Sequence, residues 1–290
     1  MRAGLRLRHR PGWWVGITIV ALVTLCAVVP GPVTALAPGG GSVVGCSLRA
    51  PDGSYQDRLG PSAAHWFGTD AQGCDEFDRV IHGARASLVV GAGAGVSSAL
   101  IGMLAGALAG WFGGLVDALV RRACDVILAI PFVVGAILLL SVLAGDQRTP
   151  GELLVALVAL LWPAPARLAR TATRALTPLE FIDAARAAGA GSLQILRGHV
   201  LPHLMPLTLA YASSTVGLVI GGEAVLTYLG VGLQIPSLSW GLMIGAAEGQ
   251  YATSPHLLLF PGVFLAATVA GFMLVGDALS DALDVRHELA

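Results

Sequence analysis

Residues 180–202 read EFIDAARAAGAGSLQILRGHVLP, a moderately polar island in an otherwise apolar chain. Long hydrophobic segments lie on both sides of it. Thr177 has an N-cap side chain, Pro178 follows at the first helical position, and Glu180 stands three residues after the cap, the capping-box spacing. Residues 181–188 contain strong helix formers, and Gly189 supplies a left-handed stop. Ser192 caps a second short helix, which must end or kink near Pro202. The stretch therefore predicts two short helices with a bend at residues 189–191. Ala184, Ala185, Ala187 and Ala188 give the first helix a small-residue surface that another backbone can approach closely. On spacing alone, a docking helix and an ordinary connecting helix are equally good readings.

The surroundings of the island are set by composition. The chain has 290 residues, a mean hydropathy of +0.76, 55% hydrophobic residues and 12% charged residues. A soluble domain carries about 25% charged residues. The deficit extends along the whole length, so most of the chain belongs in lipid. A net charge of −1 removes the case for nucleic acid as a partner.

Taken in order, the hydropathy predicts six membrane-spanning helices of about 20 residues each. Residues 1–12 are a basic N-terminus and residues 13–33 a first span. Ala35-Leu36-Ala37 has the small-residue form of a cleavage site, but the apolar run exceeds most signal-peptide cores and reads as retained. Residues 34–82 are Gly/Pro-rich and polar, with Asp57, Asp70, Asp75, Glu76 and Asp78, and form a loop outside the membrane. A core of five further spans occupies residues 83–279 and encloses the polar loop 171–203. Residues 280–290 are a charged tail. The second span, 84–109, contains Gly102, Gly106 and Gly110, a series that lets helices pack closely in lipid. A turn with Arg121 and Arg122 leads to a third span, 123–143, kinked at Pro131. The fourth, 152–168, is interrupted at Trp162-Pro163. The fifth covers 204–229, residues 230–255 are an outside connection, and the sixth covers 256–276.

Orientation follows from arginine, since the chain has no lysine. The N-terminal arginines, Arg121, Arg122, Arg167, Arg170, Arg174, Arg186, Arg197 and Arg286 fall on one side. By the positive-inside rule that side is the cytoplasm. Both termini and the polar island are then cytoplasmic.

Few residues invite chemistry. Glu223 lies near the end of the fifth span, where a carboxylate is costly; it reads either as a pore or gate residue or as an interfacial group paired with a neighbouring subunit. Asp117 and Asp125 flank Arg121 and Arg122 and read as their partners. His199 and His203 have a metal-compatible spacing, but Pro202 interrupts the helix between them and no third ligand stands nearby. Ser213, Ser214 and Thr215 have no activating base, so no catalytic residue is assigned. There is no GxxxxGK[ST] loop, so any ATP-derived energy must come from another polypeptide. Cys46 and Cys74 bracket polar chain outside the membrane, where a disulfide is permitted; the sequence leaves bonded and free states open. No cofactor or metal is expected.

Asp183-Ala184-Ala185, then Gly189, then Leu201-Pro202 resembles the EAA loop of ABC importer permeases, with Asp183 in place of the usual Glu. Further matches are Phe67-Gly68-Thr69-Asp70 with Arg79, residues 83–88, Trp111-Phe112-Gly113-Gly114 with Asp117, residues 223–234 with Ser239-Trp240-Gly241, and residues 276–284. Together they resemble the C-type permease of dipeptide, oligopeptide and nickel importers. Cys74 departs from that pattern, which commonly has arginine there.

The resemblance implies an all-α polytopic fold with the type I ABC importer architecture in a bacterial inner membrane. It implies a B-type permease as heterodimer partner, two ABC ATPase domains, an extracytoplasmic substrate-binding protein and a peptide substrate. It also implies that Glu180, Asp183, Ala184, Ala185, Gly189, Leu201 and Pro202 carry the ATPase coupling. Nickel chelates and glutathione are alternative cargoes. A gradient-driven transporter would instead show an internal repeat with broken helices and buried mid-membrane carboxylates; no repeat is seen, and Glu223 is the one weak candidate.

Overall fold

In the computed structural model, residues 11–38, 43, 46–49, 55–143 and 148–282 are described. Helix α1 (Pro11–Val28) and the short α2 (Pro30–Thr34) are separated at Val29. Then come α3 (Glu76–Phe112), α4 (Gly114–Leu128), α5 (Phe132–Leu143), α6 (Pro150–Leu161), α7 (Pro163–Leu176), α8 (Glu180–Ala187) and α9 (Ser192–Ile195). A π turn (Leu196–Val200) leads into α10 (Leu201–Tyr228), followed by α11 (Trp240–Ala246) and α12 (His256–Ala282). Among the described residues there is no strand, only isolated bridges at Arg49–Tyr55 and Thr69–Asp75. The N-terminal arginines, Asp284 and Arg286 lie outside the described residues.

Four stretches are long and apolar enough to cross a membrane: α1, α3, residues 192–228 and α12. Two bent pairs complete six spans if each is counted as one. Helices α4 and α5 meet at 98° and α6 and α7 at 41°. Leu100, Leu104, Leu138, Val142, Leu209, Leu218 and Val263 are exposed on the helices. That is the expected surface of a chain whose solvent is lipid, and the backbone is satisfied within the helices.

Several sequence expectations need correction. The second span starts at Glu76, inside the expected 34–82 loop, because Asp75 caps it and accepts hydrogen bonds from the Phe77 and Asp78 amides. Arg121 and Arg122 are not in a turn but within α4; the turn is only Gly113 and Gly114, both with positive φ. The third span is two helices rather than a kinked 123–143 rod. Loss of a donor at Pro131 breaks the ladder completely. The fourth extends to Leu176, since Pro163 takes the first helical position of α7 and costs no intrahelical bond. The outside connection 230–255 contains α11, whose N-cap is Ser239.

Helix α3 is the centre, packed on α7, α10, α6 and α1. Its glycine series fits tightly along α7. A methyl group on Gly102 would lie 2.6 Å from the Trp162 carbonyl oxygen, and one on Gly110 2.8 Å from that of Arg170. At Gly106 it would overlap the Ala166 carbonyl. These contacts bring two backbones together where lipid supplies no hydrophobic drive between helices. Among the described residues the buried apolar side chains fall into four clusters, three of them large. One is built around Leu140, Leu153, Leu157 and Leu226. A second surrounds Val80, Ile220 and Trp240, and a third Met103, Ile182, Leu196 and Leu204.

Candidate functional site

The polar island forms a hook at the arginine-rich end of the bundle. Thr177 is not the cap of α8. Helix α7 runs on to Leu176, and the Thr177 hydroxyl donates backward to the Thr173 carbonyl. Extended Leu179 occupies the N-cap position without a side-chain cap. Glu180 and Asp183 lie in the first turn, where carboxylates favour the positive end of the helix dipole. Ile182 is fully buried against Met103, Ala107, Ala169, Ile195 and Leu196. That single aliphatic anchors α8, while Glu180, Asp183, Ala184, Ala187 and Ala188 remain exposed. Asp183 pairs with Arg186 at 3.1 Å on the surface, and the Arg186 guanidinium sits 5.4 Å from the Trp111 ring.

Helix α8 ends in a Schellman motif. The Gly189 amide donates to the Arg186 carbonyl at 2.9 Å and the Ala190 amide to the Ala185 carbonyl at 3.0 Å. The motif needs a left-handed residue, and Gly189 supplies φ +84°. No other atom lies within 4 Å of the place a Gly189 side chain would take, so glycine is required by the backbone and not by crowding. Beyond it the chain does not form the expected separate short helix. Ser192 is the first residue of α9, with Gly191 as N-cap, and α9 continues through the π turn into α10. The Leu201 amide bonds back to the Leu196 carbonyl. The wider turn accommodates Pro202, which has no amide to donate. Leu201 packs on the Ile182 cluster. From Ser192 onward the hook therefore runs into a full span as uninterrupted helix, and the bend at residues 188–191 sets α8 off from it. His203 stacks on Phe181 with ring centroids 5.1 Å apart, and its Nδ1 lies 2.6 Å from the His199 carbonyl.

Next to the hook, Asp117 of α4 is nearly buried beneath three arginines. Arg170 grips both carboxylate oxygens, Arg174 approaches to 2.8 Å and Arg121 to 3.3 Å. Asp125 pairs with Arg167 at 2.5 Å. The expected Asp117–Arg121 pair is present, but the main partners are on α7, 53 and 57 residues away in sequence. Arg170 in this fork pins α4 to the helix that leads into the hook.

Glu223 is 0% exposed in this single chain. It accepts hydrogen bonds from Thr227 Oγ1 at 2.8 Å, Ser239 Oγ at 3.1 Å and Ser87 Oγ at 3.2 Å. Each hydroxyl in turn accepts a backbone amide: Thr227 from Leu233, Ser239 from Leu242 and Ser87 from Trp240. A carboxylate only accepts, so it turns every hydroxyl hydrogen inward and leaves each oxygen free for an amide. The result is a clamp holding the 233–242 segment to α3 and α10. The sequence marks Glu223 as a chemical candidate, whereas Ser87, Thr227 and Ser239 fall in the family-like stretches without any signal for this role.

At the opposite end, Cys46 and Cys74 are joined in a disulfide with Cα atoms 5.1 Å apart. Asp75 meets His65 Nδ1 at 2.8 Å, and Asp70 pairs with Arg79. The cysteine that departs from the family pattern thus has its own structural use.

A profile described as "Binding-protein-dependent transport system inner membrane component" matches residues 102–288. The chain is 38% identical over 236 residues to the glutathione transport system permease protein GsiD of Pectobacterium atrosepticum, covering 79% of this chain and 76% of that protein. It is 36% identical over 284 residues to the dipeptide transport system permease protein DppC of Bacillus subtilis, covering 97% and 84%. A DppC of Alkalihalophilus pseudofirmus is 37% identical over 227 residues, covering 78% and 74%. With four to six candidate membrane-crossing helices and these matches along most of its length, the chain belongs to the family of inner-membrane components of binding-protein-dependent transport systems.

Proposed function

We propose that this chain is the C-type permease subunit of an ATP-driven peptide importer and forms half of the translocation pore. A B-type permease completes the pore, two ABC ATPase domains act at the hook, and an extracytoplasmic binding protein delivers the cargo. The arginine-rich end and both termini face the cytoplasm. The observation that carries this reading is the build of the hook. Helix α8 exposes small residues and two carboxylates, is anchored through Ile182, and is linked by the short bend 188–191 to α9, which runs as helix into α10. A partner that moves α8 must then move a membrane span. ATP binding and hydrolysis in that partner bias two arrangements of the pore through their different contacts with α8.

The exposed break at residues 128–131 supports a second subunit. Helix-free backbone at membrane depth is tolerated only against protein or water. Glu223 acts as a clamp within the subunit and does not line the pore. Dipeptides are the favoured cargo, with glutathione as the second reading because one set of relatives is named for it.

The test is uptake by the reconstituted four-part importer in proteoliposomes. ATP-dependent accumulation of a labelled dipeptide, abolished by omitting this chain, is the expected outcome. Uptake that persists without ATP and collapses with the proton gradient would overturn the proposal.

A further inference from the structure

A pocket of about 150 Å³ opens at the end of the bundle that carries the Cys46–Cys74 disulfide. Its polar lining is Asp70, Gln72, Glu76, Arg79 and Gln250, and its apolar wall includes Met243 and Leu257. Glu76 is 2% exposed and lines the pocket beside Arg79. Gln250 Oε1 and Arg79 Nε are buried without a partner. Two buried polar groups without partners beside a buried acidic side chain, all around one cavity, are hard to explain as packing.

The groups specify their complement. Asp70 and Arg79 pair with each other, so their charges cancel, and Glu76 is the remaining acidic group of the lining, which a cation beside it would hold in the ionised form. Glu76 and Gln250 Oε1 offer acceptors, and Arg79 Nε offers one donor. An ammonium has three donors and no acceptor. A carbonyl close to that ammonium would satisfy Arg79 Nε. The amino-terminal residue of a peptide carries both groups two bonds apart, with a side chain that could lie on Met243 and Leu257; a lysine side chain carries no such carbonyl. No group of three His, Cys, Asp or Glu side chains among the described residues could hold a metal ion. We propose that this pocket receives the free amino-terminal residue of a small peptide, with Glu76 and Gln250 binding its ammonium and Arg79 its first carbonyl. The proposal rests on the peptide-importer reading for its choice of cargo.

The test uses the permease pair with its ATPases in nanodiscs, without the binding protein. Gln72→Cys places a thiol at the exposed rim, and alkylation by N-ethylmaleimide is followed, with labelling of the parent protein subtracted for Cys26 and Cys124. Dialanine should slow labelling roughly tenfold at about ten times its Kd. N-acetyl-dialanine should not, and Glu76→Gln should abolish protection. Gln250→Leu, outside the long helices, should weaken protection several-fold and serves if Glu76→Gln does not assemble. Equal protection by the acetylated peptide, or no protection by either, would overturn the site. So would protection seen only on adding the binding protein, which would make the pocket a docking contact. Dialanine uptake in the same preparation separates the two claims. Uptake without protection removes the pocket and leaves the importer, whereas protection without ATP-driven uptake removes the importer reading.

Discussion

Gly189 and Glu223 are single residues whose replacement separates signalling from stability. Gly189 holds a left-handed conformation that a β-branched side chain resists by about 1–2 kcal/mol. The space around it is empty, so Gly189→Val should leave membrane insertion and assembly intact while reshaping the end of α8. ATP hydrolysis should continue and uptake per ATP should fall about tenfold or more, since each 1.4 kcal/mol of lost coupling is a factor of ten. Parallel measurement of phosphate release and peptide uptake checks this; unchanged stoichiometry removes Gly189 from the coupling path. Glu223 works differently. Glu223→Leu keeps the bulk but leaves three buried hydroxyls without their acceptor, at about 1–3 kcal/mol per unsatisfied group. Thermal unfolding in detergent should then fall by several degrees. Ser87→Ala removes one hydroxyl and should cost clearly less. Equal melting temperatures for Glu223→Leu and the parent protein would show that the clamp is not holding the 233–242 segment.

At the scale of elements, the chain depends on α3 lying against α7. Gly106→Leu drives a side chain into the Ala166 carbonyl, and α7 cannot retreat without opening the Asp117–Arg170 fork. This variant should fail to assemble with its partner and be degraded. Gly262→Ala in α12, where no other atom lies within 4 Å of an added Cβ, should express normally. Immunoblots of membrane fractions compare the two. Elements were legible in the sequence wherever hydropathy or proline decides them: the spans, the breaks at Pro131 and Trp162-Pro163, and the glycine seam. Starts were less legible. Asp75 has the N-cap chemistry, but the acidic run after it reads as loop. Thr177 has the right side chain at the wrong place, because α7 continues far enough to use that hydroxyl at its own end. Pro131 marks the break between α4 and α5, but the 98° size of the turn has no signal in the local sequence.

At the scale of the whole molecule, the parts that meet across long sequence separations were hidden. Ser87 and Glu223 are 136 residues apart, and nothing in either neighbourhood points to the other. Ile182 was legible only as one apolar residue in the island; that it alone anchors α8 follows from α3, α7 and α9 converging on it. The hook itself was legible, because its composition contrasts with everything around it. What the assembled molecule adds is rigidity between hook and span. The most direct measurement of that claim places a photo-crosslinking residue at Ala188, the exposed C-cap of α8, in the intact complex and identifies its adducts by mass spectrometry. The account predicts adducts with the ATPase subunit, with a yield that changes between nucleotide-free and ATP-trapped states. Adducts with lipid or the second permease alone, unchanged by nucleotide, would contradict it.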